Sequence, residues 1–333
     1  MKIEKVIRVT DYHSLGHPLR IITGGVTKIQ GKTMTEKKEF FMKNLDHIRT
    51  SLLREPRGYK AMAGALITEP ISEQASFGVV WMGSDGYFDM CGHGSLCVGK
   101  WAVENGVVER NDPVTGFCFD TPAGLVEVKV KVDDVDVGPV SFINVPSFHF
   151  KSSSVNVKDI GPVPLEISYG GNFFAFAHAK DLRIHVSTKN IPELVNIASK
   201  IRKAANAQIK VEHPKAPKID DINGVKILAS SSKPNHYLGI MIFLNGSIDR
   251  TPCGTGTCAH MATLFSKGCL KVDEETIHEN LIGLKWKGKI IKETTVDSLR
   301  AVVPELTGEA YIIGINTYVL DANDPVKHGF LLN

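Results

Sequence analysis

The 333 residues include 39 Lys or Arg and 36 Asp or Glu, a formal net charge of +3 with histidines neutral, and both signs are interspersed along the chain. This excludes a simple electrostatic case for nucleic acid, which needs basic residues concentrated on one face. With 43% hydrophobic and 23% charged residues the composition is that of a globular protein rather than a disordered one, and the length suits about two domains.

No run approaches the roughly 20 apolar residues needed to span a bilayer. The opening MKIEKVIRVT lacks the apolar stretch and small-residue cleavage site of a signal peptide. A cytoplasmic protein with no membrane partner is expected, and in that setting the six cysteines (Cys91, Cys97, Cys118, Cys253, Cys258 and Cys269) are expected as thiols. No Cys-x-x-Cys pair occurs, which argues against a zinc ribbon or a dithiol redox centre. For any single cysteine the plain reading is a buried small hydrophobe.

In chain order, ASFGVVWMG at 75–83 is a short β-type run. CGHGSLCVGKWAVENG at 91–106 follows. Its Gly-rich entry lets the backbone turn tightly, a run of helix formers comes next, and Gly106 suits the left-handed position past a helix end. Leu96, Cys97, Val98, Trp101, Ala102 and Val103 lie on every side of that helix, which predicts that it is buried. Strands are predicted at 124–132 (GLVEVKVKV) and 140–145 (VSFINV), and the polar stretch KVDDVDVGP at 131–139 is the best domain boundary. Phe173, Phe174 and Phe176 read as core. A strand at 237–244 (YLGIMIFL) precedes a second Gly-flanked segment, CGTGTCAHMATLFSKG at 253–268, and AYIIGINTYVL at 310–320 predicts a further strand.

The two Gly-flanked segments both begin Cys-Gly-x-Gly, both end in Gly, have equal spans, and lie close to half a chain apart. That is the mark of a duplication. The expected fold class is α+β, with two similar units, each of β-strands wrapped around a central helix. Residues 1–134 with a C-terminal segment of about 311–333 form the first unit, and 135–310 the second.

A cysteine just before such a helix has chemical meaning. The first N–H groups of a helix have no intrahelical partner and carry partial positive charge, so a thiolate there is stabilised and its pKa lowered towards neutrality. Glycines beside it let the N–H groups approach an anion such as a carboxylate. Two related copies, meeting one ligand from opposite sides, are what inversion at a carbon requires: Cys91 or Cys253 as thiolate removes a proton, and the other as thiol returns one. The scheme needs no cofactor and no metal ion, and no Walker A loop, strand-associated G-x-G-x-x-G or metal-spaced cluster occurs. Cys97 and Cys258 lie about 240° and about 140° around their helices from the leading cysteines, off the reactive face. Cys118 and Cys269 read as packing residues.

FDMCGHGS at 88–95 and DRTPCGTGT at 249–257 resemble the two signature motifs of the proline racemase family, which includes hydroxyproline 2-epimerases and trans-3-hydroxyproline dehydratases. HPLRIITGG at 17–25, EPRGY at 55–59, NVPSF at 144–148, YGGNFFA at 169–175 and DPVKHGF at 324–330 are similar to further family segments, so the resemblance runs along nearly the whole chain. It implies a fold like that of diaminopimelate epimerase, with the active site in the cleft between two pseudo-symmetric units. It implies Cys91 and Cys253 as the catalytic bases. Gly92 with His93, and Gly254 with Thr255, match the backbone donors around the substrate carboxylate, and Asp249 matches the residue near the substrate amine. His93 has the structural alternative of satisfying a backbone group, and Asp249 that of capping the following turn or pairing with Arg250.

Cys253 stands where dehydrating subfamilies carry Thr or Ser, which favours inversion. The function implied is a cofactor-independent racemase interconverting L- and D-proline, a small-molecule substrate, and working as a homodimer. The alternatives are a 4-hydroxyproline 2-epimerase, a trans-3-hydroxy-L-proline dehydratase, and a non-enzymatic amino-acid-binding or thiol-sensing protein. Three departures from the family pattern bear on ring specificity: His13-Ser14-Leu15-Gly16-His17-Pro18 near the start, Tyr59-Lys60-Ala61 after Glu55-Pro56-Arg57-Gly58, and Trp81 in place of a frequent Phe.

Overall fold

The computed structural model describes residues 2–229 and 233–332. In chain order the first elements are β1 (Ile3–Ser14), β2 (His17–Gly24), α1 (Met34–Asn44), α2 (Asp46–Leu53), β3 (Ala63–Thr68), β4 (Phe77–Gly83), β5 (Gly86–Phe88) and α3 (Gly92–Glu104). Then come β6 (Val114–Thr121), β7 (Gly124–Asp133), β8 (Asp136–Ile143), β9 (Ser147–Val157), β10 (Gly161–Tyr169), β11 (Phe173–His178), α4 (Ala179–Leu182) and α5 (Ile191–Gln208). The remainder are β12 (Ile222–Leu228), β13 (His236–Phe243), α6 (Gly254–Ser266), β14 (Thr276–Glu279), β15 (Lys285–Val296), β16 (Leu299–Gly308) and β17 (Tyr311–Asp321). The fold is strand-rich with few helices. Both Gly-flanked segments are helices, and the strands expected near 75–83, 124–132, 140–145, 237–244 and 310–320 are β4, β7, β8, β13 and β17.

Two compact units divide the chain: Met1–Phe142 with Glu309–Asn333, and Ile143–Gly308. The polar stretch 131–139 lies within the first, at the turn from β7 to β8, where Asp134 takes a φ of 49°.

In the first unit β17, β1 and β2 pair antiparallel in that order, β3 joins β2 in parallel, and β4 runs antiparallel to β3. β6 lies parallel to β4 and pairs antiparallel with β7. The alternation in GLVEVKVKV is the pleat itself: Val126, Val128, Val130 and Val132 point inward and are buried, and the residues between them are exposed. α3 packs against β1, β2, β3 and β7, and every residue from Gly92 to Val103 is buried. Enclosure on several sides explains why this helix is apolar all round. Gly99 permits the close approach, since a Cβ there would stand 2.8 Å from Val128 Cγ1 and 2.9 Å from Val140 Cγ1.

In the second unit each strand from β9 to β16 pairs with its successor, and β16 returns to pair with β9. The eight strands therefore close into a barrel-like sheet. α6 lies against β9, β10, β11, β15 and β16, buried from Gly254 to Thr263. α5 covers β9, β12 and β13 with Leu194, Ala198, Ile201 and Ala205, one stripe of an amphipathic helix. Phe173, Phe174 and Phe176 belong to the core, as expected.

No disulfide joins the six described cysteines. Cys97 and Cys258 are fully buried, as packing residues should be, and Cys118 is half-buried. Cys269 corrects the expectation. It is exposed because the end of α6 already lies at the surface, with Ser266 and Lys267 in solvent before Gly268, at a φ of 71°, turns the chain. Among the described residues, no helix is long and apolar enough to cross a membrane.

Candidate active site

Within the first unit Cys91 is the N-cap of α3, in extended conformation at φ −138° and ψ 108°. Its carbonyl accepts from Ser95 N at 2.9 Å and Ser95 Oγ at 2.8 Å, which starts the helix. The next donors, the N–H groups of Gly92, His93 and Gly94, belong to the first turn, where a helix offers no acceptors of its own. His93 Nδ1 lies 3.4 Å from Cys91 Sγ, and the imidazole packs edge-on against His17 with ring centroids 4.4 Å apart. The thiol thus has a titratable neighbour two residues on.

Within the second unit Cys253 is the N-cap of α6, and its carbonyl accepts from Thr257 N at 2.7 Å. Its Sγ accepts from Gly256 N at 3.4 Å and stands 3.9 Å from Thr255 Oγ1. A hydroxyl therefore occupies the place that the imidazole of His93 takes in the first unit. Cys253 has a φ of 66°, a left-handed value that residues with a Cβ rarely adopt.

The second Gly of each Cys-Gly-x-Gly has a steric reason. A Cβ on Gly94 would come within 3.0 Å of Cys91 Sγ and 2.6 Å of Trp81 Cζ3, and a Cβ on Gly256 within 2.9 Å of Cys253 Sγ. In both units the thiol folds back over the first helical turn into space that only glycine leaves. Trp81, noted in the sequence as a departure, forms part of the packing under the first thiol.

Asp249 is buried, and its Oδ1 accepts from both Thr251 N and Thr251 Oγ1 at 2.8 Å. Thr251 Oγ1 in turn accepts from Cys253 N at 3.0 Å. The turn-capping alternative for Asp249 is thus what its described hydrogen bonds show, and the turn it caps leads directly into Cys253. Family segments distant in sequence support the same place. Asn144 Nδ2 donates to the Gly170 carbonyl at 2.8 Å, and a Cβ on Gly170 would collide with Thr255 O at 2.3 Å and Ala259 N at 2.6 Å.

The electrostatics depart from the expectation of a thiol lowered towards neutrality. Burial pushes the Cys253 thiol up and the Asp249 carboxylate adds to the rise, while the Lys226 charge and the Gly256 N–H pull the other way without prevailing. A helix N-terminus offers a partial charge, whereas full enclosure removes the whole of a thiolate's hydration. Burial likewise pushes up Cys97 and Cys258.

Lys226 was not singled out in the sequence. It sits in β12 and is 1% exposed, and its Nζ donates to the Pro252 carbonyl at 2.7 Å and to Thr257 Oγ1 at 3.3 Å. Burial lowers its pKa to about 8, against the opposing pull of Cys253, Asp249 and Cys258. The available signal was a lone charge inside the apolar run INGVKIL. His17, against His93, was named in the sequence only as part of the segment that departs from the family pattern near the start.

Each unit thus places a buried cysteine at the N-cap of a central helix enclosed by strands. The model of the proline racemase family matches residues 9–331, and the chain belongs to that family. It is 43% identical to a proline racemase of Acetoanaerobium sticklandii, over 99% of either chain. It is 39% identical to a 4-hydroxyproline 2-epimerase of Streptosporangium roseum and 39% identical to a trans-3-hydroxy-L-proline dehydratase of Bacillus thuringiensis, each over 100% of both chains. Among solved structures it matches a probable proline racemase from Agrobacterium radiobacter with bound carbonate, at a TM-score of 0.93 and 28% identity, covering 98% of this chain and 96% of that one. A hydroxyproline epimerase from Agrobacterium vitis with bound trans-4-hydroxy-L-proline matches at a TM-score of 0.93 and 27% identity, covering 100% and 97%.

Proposed function

We propose that the protein is a proline racemase that interconverts L- and D-proline with Cys91 and Cys253 as its two bases and no cofactor. The observation that carries this reading is the cysteine at the N-cap of each central helix, in a chain whose family includes racemases, epimerases and dehydratases. A second Cys, where dehydration would call for a hydroxyl, gives both faces of Cα a group able to give and take a proton.

The reaction balances without a co-reactant. One thiolate takes the Cα proton, forming an S–H bond as the C–H bond breaks. The electron pair moves into the substrate carboxylate, and the opposite thiol delivers its proton to the other face and becomes the thiolate for the reverse turn. Charge gathering on the carboxylate is met by the N–H groups of Gly92, His93, Gly254 and Thr255, which are oriented before substrate arrives. Asp249, anchored through Thr251 beside Cys253, receives the substrate ammonium. A thiol that burial holds protonated suits the acid half of the cycle, and loss of water around bound substrate strengthens each charge interaction.

The diaminopimelate epimerase-like arrangement, with two pseudo-symmetric units and substrate in the cleft between them, belongs to this proposal. It is supported by the two helices themselves, each of 13 residues and each starting one residue after its cysteine. A cytoplasmic homodimer is part of the same reading. Thiols without disulfides fit a reducing compartment, and the exposed Ile312, Ile313 and Ile315 of β17 are an apolar row that a second copy would cover.

A substrate panel tests the proposal. L-proline is expected to invert faster than trans-4-hydroxy-L-proline, and trans-3-hydroxy-L-proline to release no pyrroline carboxylate. Inversion confined to hydroxyproline would make the protein an epimerase, release of pyrroline carboxylate a dehydratase, and binding without turnover a non-enzymatic binder.

A further inference from the structure

A lysine 1% exposed in the middle of a barrel strand needs a reason, because an ammonium group gives up its hydration there. Lys226 pairs in register with Phe176 of β11 and Met241 of β13, both buried, so neither neighbour on the sheet offers it a charge. Its described acceptors are the Pro252 carbonyl and Thr257 Oγ1, one on each side of Cys253 in sequence.

Those contacts grip a particular peptide. The carbonyl of the Pro252–Cys253 bond accepts from Lys226 Nζ at 2.7 Å and from Thr257 Oγ1 at 3.2 Å, while its N–H donates to Thr251 Oγ1 at 3.0 Å. Both ends of the peptide plane are therefore held, next to a cysteine whose φ of 66° its surroundings must enforce.

We propose that Lys226 is a positioning residue for Cys253: its ammonium group holds the strained peptide that aims the thiol and supplies the buried positive charge that favours the thiolate. This rests on the reading of Cys253 as a base. The groups acting on Lys226 are consistent with the assignment. Asp249, Cys253 and Cys258 favour its charged form, and His260 and His278, both buried and kept neutral, carry no competing charge. With a pKa lowered to about 8, Lys226 is mainly ammonium near neutrality and loses its charge as the medium turns alkaline.

The test follows the thiol directly. In the full chain, the alkylation rate of Cys253 by iodoacetamide is measured by peptide mass across a pH series for the natural protein, Lys226→Met and Lys226→Arg, with Cys91 as internal control. Lys226→Met is expected to slow Cys253 near neutrality by about tenfold, the equivalent of one unit in a thiol pKa, with Cys91 unchanged. It is expected to lower kcat for L-proline by a similar factor while KM moves little, and Lys226→Arg to restore most of both.

Should Lys226→Met not give folded protein, Lys226→Gln takes its place and carries the same expectation for the thiol. An unaltered Cys253 profile in a folded neutral variant overturns the proposal whether or not the chain racemises proline. Retained inversion in Cys253→Ser overturns instead the reading of Cys253 as a base, and the alkylation profile does not depend on that outcome.

Discussion

At the scale of the residue, the two thiols have like positions and unlike neighbours. Cys91 has an imidazole nitrogen 3.4 Å away, whereas Cys253 has a hydroxyl 3.9 Å away and the charge of Lys226 acting on it. Cys91→Ser and Cys253→Ser are each expected to lower proline inversion by about 100-fold or more, the usual worth of a positioned acid or base, as measured by polarimetry. A planar five-membered ring carboxylate such as pyrrole-2-carboxylate resembles the flattened transition state, so it is expected to slow alkylation of both cysteines. Alkylation unaffected by a bound analogue would place the reactive thiols outside the substrate site. Both cysteines were legible in the sequence because glycine punctuation is local and repeated. The upward shift at Cys253 was not, because it depends on enclosure by a barrel and on Asp249, and the Lys226 charge that opposes it arrives only through the strand pairing of β12.

At the scale of the element, helices α3 and α6 work because glycines let other parts approach them. Gly170 is the sharpest case, since any side chain would strike the backbone of α6 at Thr255 O and Ala259 N. Gly170→Ala is expected to destabilise the protein by about 3 kcal/mol, at the upper end of overpacking costs, because backbone yields less readily than a side chain. Chemical denaturation measures it, and a loss below about 1 kcal/mol would show that the loop at Gly170 moves aside freely. The helices were legible from their Gly-bounded, apolar sequences and β7 from its alternation. The return of β16 to β9 was not, because nothing local in Leu299–Gly308 names a partner some 150 residues earlier in the chain. The same applies to the anchoring of Gly170 by Asn144: the segments NVPSF and YGGNFFA were visible, and their meeting was not.

At the scale of the whole molecule, stability is expected to depend on pH through histidines that folding keeps neutral. His260 and His278 are buried in the second unit, and burial, assisted by the Lys226 charge, holds both well below the ordinary value of 6.5. A depressed folded-state pKa contributes stability that is present above the unfolded value and lost as pH falls, since the unfolded chain then binds protons that the folded one refuses. Below about pH 6.5 each histidine is expected to remove about 1.4 kcal/mol per pH unit, and His260→Phe to flatten that slope by one proton's worth in urea unfolding across a pH series. An unchanged slope would mean that His260 takes up its proton in the folded state. Inversion by two thiols is tested most directly by the initial appearance of isotope in deuterated water. Starting from L-proline, D-proline is expected to carry deuterium at Cα from its first appearance, while the remaining L-proline acquires the label only later. D-proline that keeps the original Cα hydrogen would contradict it.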